Sequence, residues 1–183
     1  MIKTTHFLIR LTFFVTLFTL TACEEKSDEK PSSIVAIMKD DTFELKMYNE
    51  KLTYTNDEVI NCYATLEYIG EEDSITVYSS DPLVGFALKD DKYFDGGYSS
   101  NDELLTTIIK KGEILRFNYL KTGGWTNDDP NADFYEKFYS EKELVLPAGK
   151  YEISSTIECS LDSKDIMGSK YKTSVSTYIT VVK

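Results

Sequence analysis

Apolar residues return at every second position along most of this chain, and that period decides what it can fold into. Phe43, Leu45 and Met47 alternate with polar neighbours, and Ile60, Cys62, Ala64, Leu66 and Tyr68 do the same against Asn61, Thr65 and Glu67. The rhythm continues through Ile75 and Val77, Phe86 and Leu88, and Ile114 to Leu120. It returns in Tyr151, Ile153, Ile157 and Cys159, and last in Val175, Thr177, Ile179 and Val181. Successive side chains of an extended chain point to opposite faces, so each run puts one face in a core and one in water. Between the runs lie Gly70-Glu71-Glu72-Asp73, Asp81-Pro82, Asp90-Asp91, Gly96-Gly97, Lys110-Lys111-Gly112 and Pro147-Ala148-Gly149, all turn chemistry. Seven to nine short strands at this spacing predict an all-β fold, an antiparallel β-sandwich.

One insertion breaks the rhythm. Asp129 before Pro130 reads as a helix N-cap followed by proline at the first helical position. Phe134 and Phe138 are four residues apart and share a helix face, as do Tyr135 and Tyr139. These features predict a short helix of two to three turns near 130–139. Trp125, the sole tryptophan, follows Gly123 and Gly124. With Tyr135, Tyr139 and the Tyr93-Phe94 pair it could build an aromatic platform for sugar rings or a peptide. The alternative is that Trp125 plugs the sandwich end, which the ease of burying large aromatics favours.

Asp129, Asn131 and Asp133 have the alternate-residue oxygen spacing that opens a calcium loop. Phe134 then stands where the loop needs glycine, and Ser140 where it needs a bidentate Glu, so no metal is expected. Cys62 and Cys159 both fall on the apolar phase of their strands, one early and one late. If those strands run in the same direction the sulfurs lie at opposite ends. Two unpaired core thiols are therefore expected rather than a disulfide, which needs Cα atoms within about 7 Å.

The N-terminus carries a different signal. Lys3 and Arg10 precede an apolar run from Leu11 to Leu20, and Leu20-Thr21-Ala22-Cys23 closes it. Ten such residues reach about 15 Å, roughly half a bilayer's hydrocarbon thickness, so a secretory signal fits better than a membrane span. The four closing residues resemble the lipobox of bacterial lipoproteins. That resemblance implies cleavage after residue 22, a diacylglyceryl group on Cys23, and a membrane partner reached through the lipid. Residues 24–33 contain no apolar member and predict a charged, flexible linker, so that 23–33 form the tether. Residues 34–183 are then a single domain on the extracytoplasmic face of the cell membrane.

Without residues 1–22 the chain holds 18 Lys+Arg against 31 Asp+Glu, a net charge of −13. Such a surface repels phosphate backbones, which excludes nucleic acid as a partner. The only histidine, His6, lies in the signal segment. Its absence from the mature chain removes Ser-His-Asp and Cys-His catalysis and His-ligated zinc. With no nucleophile motif and no phosphate loop, neither enzymatic activity nor a cofactor is expected.

Three segments carry a wider resemblance. Phe43-Glu44-Leu45-Lys46-Met47-Tyr48 with Tyr54 and Glu58, Ala64-Thr65-Leu66-Glu67-Tyr68-Ile69-Gly70, and Leu144-Val145-Leu146-Pro147-Ala148-Gly149-Lys150-Tyr151 resemble a group of lipoproteins of Bacillus-type bacteria that has no assigned activity. The Leu-Pro-Ala-Gly-Lys-Tyr turn is also similar to that of the Bacillus intracellular proteinase inhibitor domain. These resemblances imply an immunoglobulin-like form of the sandwich. The expected function is a non-catalytic module that binds a protein, peptide or cell-wall ligand at the cell surface. A proteinase-inhibitor-like module and a carboxylate-dependent glycan-active enzyme are the alternatives.

Overall fold

The computed structural model describes residues 33–183. The signal segment, Cys23 and all of the expected linker but Ser33 lie outside the described residues. In chain order the strands are β1 (Ser33–Lys39), β2 (Phe43–Asn49), β3 (Thr53–Thr55), β4 (Cys62–Tyr68) and β5 (Ser74–Ser79). Then come β6 (Val84–Lys89), β7 (Leu105–Lys110), β8 (Ile114–Asn118), the helix α1 (Ala132–Ser140), β9 (Gly149–Ser160) and β10 (Lys170–Val182).

The chain is mostly β, as the period-two pattern requires. One sheet has the order β1-β2-β4-β8, and the second runs β3-β10-β9-β5-β7 with β6 also on β9. Strands β2 and β4 bury every second residue from end to end, so the sequence alternation translates directly into a buried face. Phe43, Leu45, Met47, Ala64 and Leu66 from the first sheet share one core with Val77, Ile109, Ile153, Ile157 and Ile179 from the second. Each fully buried Leu, Ile or Phe side chain contributes about 1.5–3 kcal/mol relative to exposure.

Three details depart from the sequence-based expectation. Ten strands are described, not seven to nine, because short pieces count separately. Strands β5 and β6 lie end to end along the same edge of β9, meeting it at Tyr78↔Ser160 and from Val84↔Ile157 to Lys89↔Glu152. The turn between them contains the cis Asp81-Pro82 bond. Strand β3 pairs parallel to β10, so the architecture is mixed and not purely antiparallel. The helix begins at Ala132 with Asn131 at its N-cap, two residues later than Asp129-Pro130 suggested.

Two corners position the surfaces described below. At the first, the β1–β2 turn, Asp40 Oδ1 accepts the backbone N–H groups of Thr42 (2.7 Å) and Phe43 (2.8 Å). Its Oδ2 accepts the Tyr171 hydroxyl at 2.6 Å, which ties the first sheet to β10. Desolvation raises the Asp40 pKa, but the hydrogen bonds from Tyr171, Phe43 and Thr42 outweigh it and leave the carboxyl below its ordinary value. A carboxyl depressed in the folded state stabilises it above the unfolded pKa, and that contribution is lost as pH falls through the folded value. Asp40→Asn should therefore flatten the acid limb of stability below about pH 4. Urea midpoints for both proteins between pH 5 and 2 check this, and parallel acid limbs would refute it.

At the second corner, β6 reverses on Asp90, whose Oδ1 accepts the N–H groups of Tyr93 and Phe94, both at 2.7 Å. The chain returns through Gly96, which has φ +91° and donates its N–H to the Leu88 carbonyl at 2.9 Å. Residues 95–100 then fold over the solvent side of the second sheet. The N–H of Asn101 fixes them to the Asp81 carbonyl at 2.9 Å.

Candidate functional site

Two neighbouring surfaces concentrate chemistry. The first is the aromatic cluster around α1. Phe134 and Phe138 lie on the inward side of the helix, and Phe138 is only 6% exposed. Phe94 sits among them, with ring centroids 5.0 Å from Phe138, 5.9 Å from Phe134 and 6.3 Å from Tyr151. Tyr93 stacks on Phe134 at 3.9 Å, and the Tyr135 hydroxyl donates to the Tyr93 carbonyl. The open carbonyls at the helix C-terminus are met by Lys121 Nζ, which donates to Phe138 (2.6 Å) and Glu141 (2.7 Å). Cation and helix dipole favour that placement, while burial holds the lysine's pKa below its ordinary value.

The aromatic residues singled out from sequence do come together here. Trp125 stacks on Tyr139, rings parallel within 3° and centroids 5.9 Å apart, and Tyr139 lies 6.4 Å from Tyr135. Gly123 allows this approach: its φ is +112°, and a Cβ there would crowd the Tyr139 hydroxyl. Trp125 remains 37% exposed while Phe138 is buried, so Phe138 fills the inside of the cluster and the indole leans on its outside. A cavity of about 270 Å³ lies between cluster and sheet, bordered by Phe86, Tyr119, Phe138 and Tyr139. Burial raises the pKa of Tyr119, Tyr135 and Tyr139.

The second surface was not foreseen. A groove of about 590 Å³ runs over the solvent face of β6, β9 and β10. Register explains why it is hollow. Gly85 and Ala87 of β6 lie opposite Thr156 and Ser154 of β9, which lie opposite Ser174 and Ser176 of β10. Three adjacent strands thus carry small residues at two successive outward positions, where an exposed sheet could hold large side chains. Tyr98 forms a wall with its ring against Gly85, where a Cβ would overlap it. The Glu158–Lys172 ion pair, 2.7 Å, closes one end, and Lys89 and Glu152 border the other. Burial first, then the Glu158 charge, holds the Tyr98 pKa above its ordinary value against the effect of Lys172.

Hydroxyls dominate the lining. Thr156 is 8% exposed, yet its side chain has no hydrogen-bond partner among the described residues. The same holds for Ser154, Ser174, Ser176, Ser80 and Ser100. A hydroxyl both donates and accepts, so this lining can partner polar groups of either kind. Asp95 and Gly97 border both the groove and the aromatic cavity, making that segment their common wall.

The remaining candidates stand apart from these surfaces or are occupied locally. Asp129 Oδ1 accepts the Asn131 N–H at 2.8 Å, so it shapes the turn before the helix, and Asp133 lies in the first helical turn. Among the described residues no group of three or more His, Cys, Asp or Glu is placed to hold a metal ion. Cys62 and Cys159 are both buried and free, and burial pushes each thiol up to about 12. Cys23 lies outside the described residues. No described helix is long and apolar enough to cross a membrane.

No family model and no curated protein matches this chain. Among solved structures, the sporulation control protein Spo0M from Bacillus subtilis is similar at a TM-score of 0.37 and 14% identity. The match covers 78% of this chain and 50% of Spo0M, so the chain spans about half the length of that structure.

Proposed function

We propose that this protein is a lipid-anchored, extracytoplasmic binding module without catalytic activity, built as an immunoglobulin-like sandwich. Support for the immunoglobulin-like form comes from two features. The short β3 pairs parallel to the last strand after β2 has joined the other sheet. At the start of β9, the Tyr151 hydroxyl donates to the Pro147 carbonyl four residues upstream at 2.9 Å, the geometry of a tyrosine corner. The binding role is carried by one observation: the open groove over β6, β9 and β10 with its unpartnered hydroxyl lining. Leu20-Thr21-Ala22-Cys23 supports the anchor. Two acyl chains hold a protein at a membrane far longer than one, because each buried methylene adds about 0.8 kcal/mol.

Cys23→Ala tests the anchor. With the native residue, the protein should fractionate with membranes and incorporate labelled fatty acid. The variant should stay unprocessed or appear in the medium, without label. A variant that is matured and retained like the parent would end this reading.

A further inference from the structure

We propose that the groove over β6, β9 and β10 binds an uncharged, hydroxyl-rich ligand, a short stretch of neutral glycan. The inference rests on the binding-module reading and gives its ligand a chemical class. Three features of the groove converge on it. The volume, about 590 Å³, falls within the range of built ligand sites. Thr156 is more than nine-tenths buried beneath the groove, its hydroxyl aimed into it and unpartnered. A hydroxyl that opens on the groove and that no protein group occupies can receive a ligand's polar group. Around it the hydroxyls of Ser154, Ser174 and Ser176 offer both donors and acceptors, matching a ligand whose own groups are hydroxyls.

Charge narrows the class. Asp95, Glu152 and Glu158 border the groove against Lys89 and Lys172, the latter paired with Glu158, which leaves the lining net negative. The whole chain is at −11. An anionic polymer would meet net repulsion here. Peptides bind tightly by seating apolar or aromatic anchors in pockets, and the floor of Ser154, Thr156, Ser174 and Ser176 provides no such pocket. Tyr98 stands at the wall as the aromatic surface on which the C–H face of a sugar ring can rest.

The full-length protein in detergent is titrated by calorimetry with the uncharged β-1,4-linked hexasaccharides of N-acetylglucosamine and of glucose. Polyglycerol phosphate and a casein digest serve as anionic and peptide probes. Saturable binding of a neutral hexasaccharide is expected, weakened at least tenfold by Ser176→Trp, which fills the floor. Ser176 is exposed on an outward strand position, where tryptophan is well tolerated. Should that variant fail to fold, Tyr98→Ala takes its place, with at least a fivefold loss expected. Trp125→Ala, at the aromatic cluster, should change affinity less than twofold. Neutral-sugar binding that survives both groove variants would overturn the proposal, and so would binding of neither hexasaccharide. Casein peptides that bind and are displaced by Ser176→Trp would overturn the glycan class while leaving a binding module in place. Failure of the anchor shows separately in the Cys23→Ala fractionation, which does not involve the groove.

Discussion

Tyr151→Ala is expected to destabilise the fold by about 3–5 kcal/mol, the range for emptying a buried aromatic site. Tyr151 is 1% exposed and among the largest fully buried side chains. Its ring packs edge-on to Phe94, with centroids 6.3 Å apart, and fills the space beside Gly149, where a Cβ would meet it at 3.1–3.2 Å. The phenol does a second job. It donates to the Pro147 carbonyl, closing the turn that feeds β9, and burial pushes its pKa up to about 12. Tyr151→Phe separates the two jobs, because the ring stays and only the donor is lost. The Pro147 carbonyl is part-buried, so losing its donor should cost about 0.5–1.5 kcal/mol, the net worth of an ordinary hydrogen bond. Urea denaturation of the three proteins should therefore rank them parent, Phe, Ala, with the larger step between Phe and Ala. Because whole domains are stable by about 5–15 kcal/mol, the Ala variant could be largely unfolded, and the Phe variant then carries the measurement. A Phe variant as stable as the parent would show that the hydroxyl is dispensable to the corner.

The two central strands of the first sheet were legible because nothing competes with the period. Phe43, Leu45 and Met47 on β2, and Cys62, Ala64, Leu66 and Tyr68 on β4, are all buried. Asn49 shows where the pattern stops being informative. It ends β2 on the inward phase, fully buried, with neither amide atom paired. Period alone assigns it a position but no reason for being polar. Strand β3 was illegible for a different reason. Three residues, Thr53–Thr55, are too few to display a period, and their parallel partner lies at the far end of the chain. At the helix, residue type was read correctly but its use was not: the Asp129 carboxylate is consumed by the Asn131 N–H, so the turn precedes the helix instead of starting it.

The groove shows the limit most clearly. Ser154, Thr156, Ser174 and Ser176 stand on the outward phase of their strands, a signal visible in the sequence. Taken alone they are ordinary solvated positions. Only the register that sets Gly85 and Ala87 beside them makes a hollow, and register is a long-range property of strand pairing. Tyr98 could not be placed either, because its position depends on the fold-back of residues 95–100. The aromatic cluster was more legible, since Phe134 and Phe138 advertise one helical face whatever they pack against.

Phe138→Ala is the second large effect, and it should be felt locally. The helix has nine residues, too few to persist in water without tertiary support. That support comes chiefly through Phe138, whose ring centroid lies 5.0 Å from that of Phe94 and under Lys121 Nζ at 4.2 Å. Truncation removes about 3–5 kcal/mol of contact, enough to release the helix while both sheets remain paired. Trp125 reports the event, because its parallel contact with Tyr139 exists only while the helix is docked. Its emission should shift to longer wavelength in the variant, under conditions where far-ultraviolet dichroism still reads a β protein. If Trp125 emission is unchanged and the urea midpoint falls for all probes together, the helix is part of the same cooperative unit as the sheets. The groove offers an independent readout, since Asp95 and Gly97 wall both cavities. Freeing the cluster on one side of that wall should loosen it on the other, so neutral-sugar affinity should fall in Phe138→Ala although the substituted residue lies outside the groove.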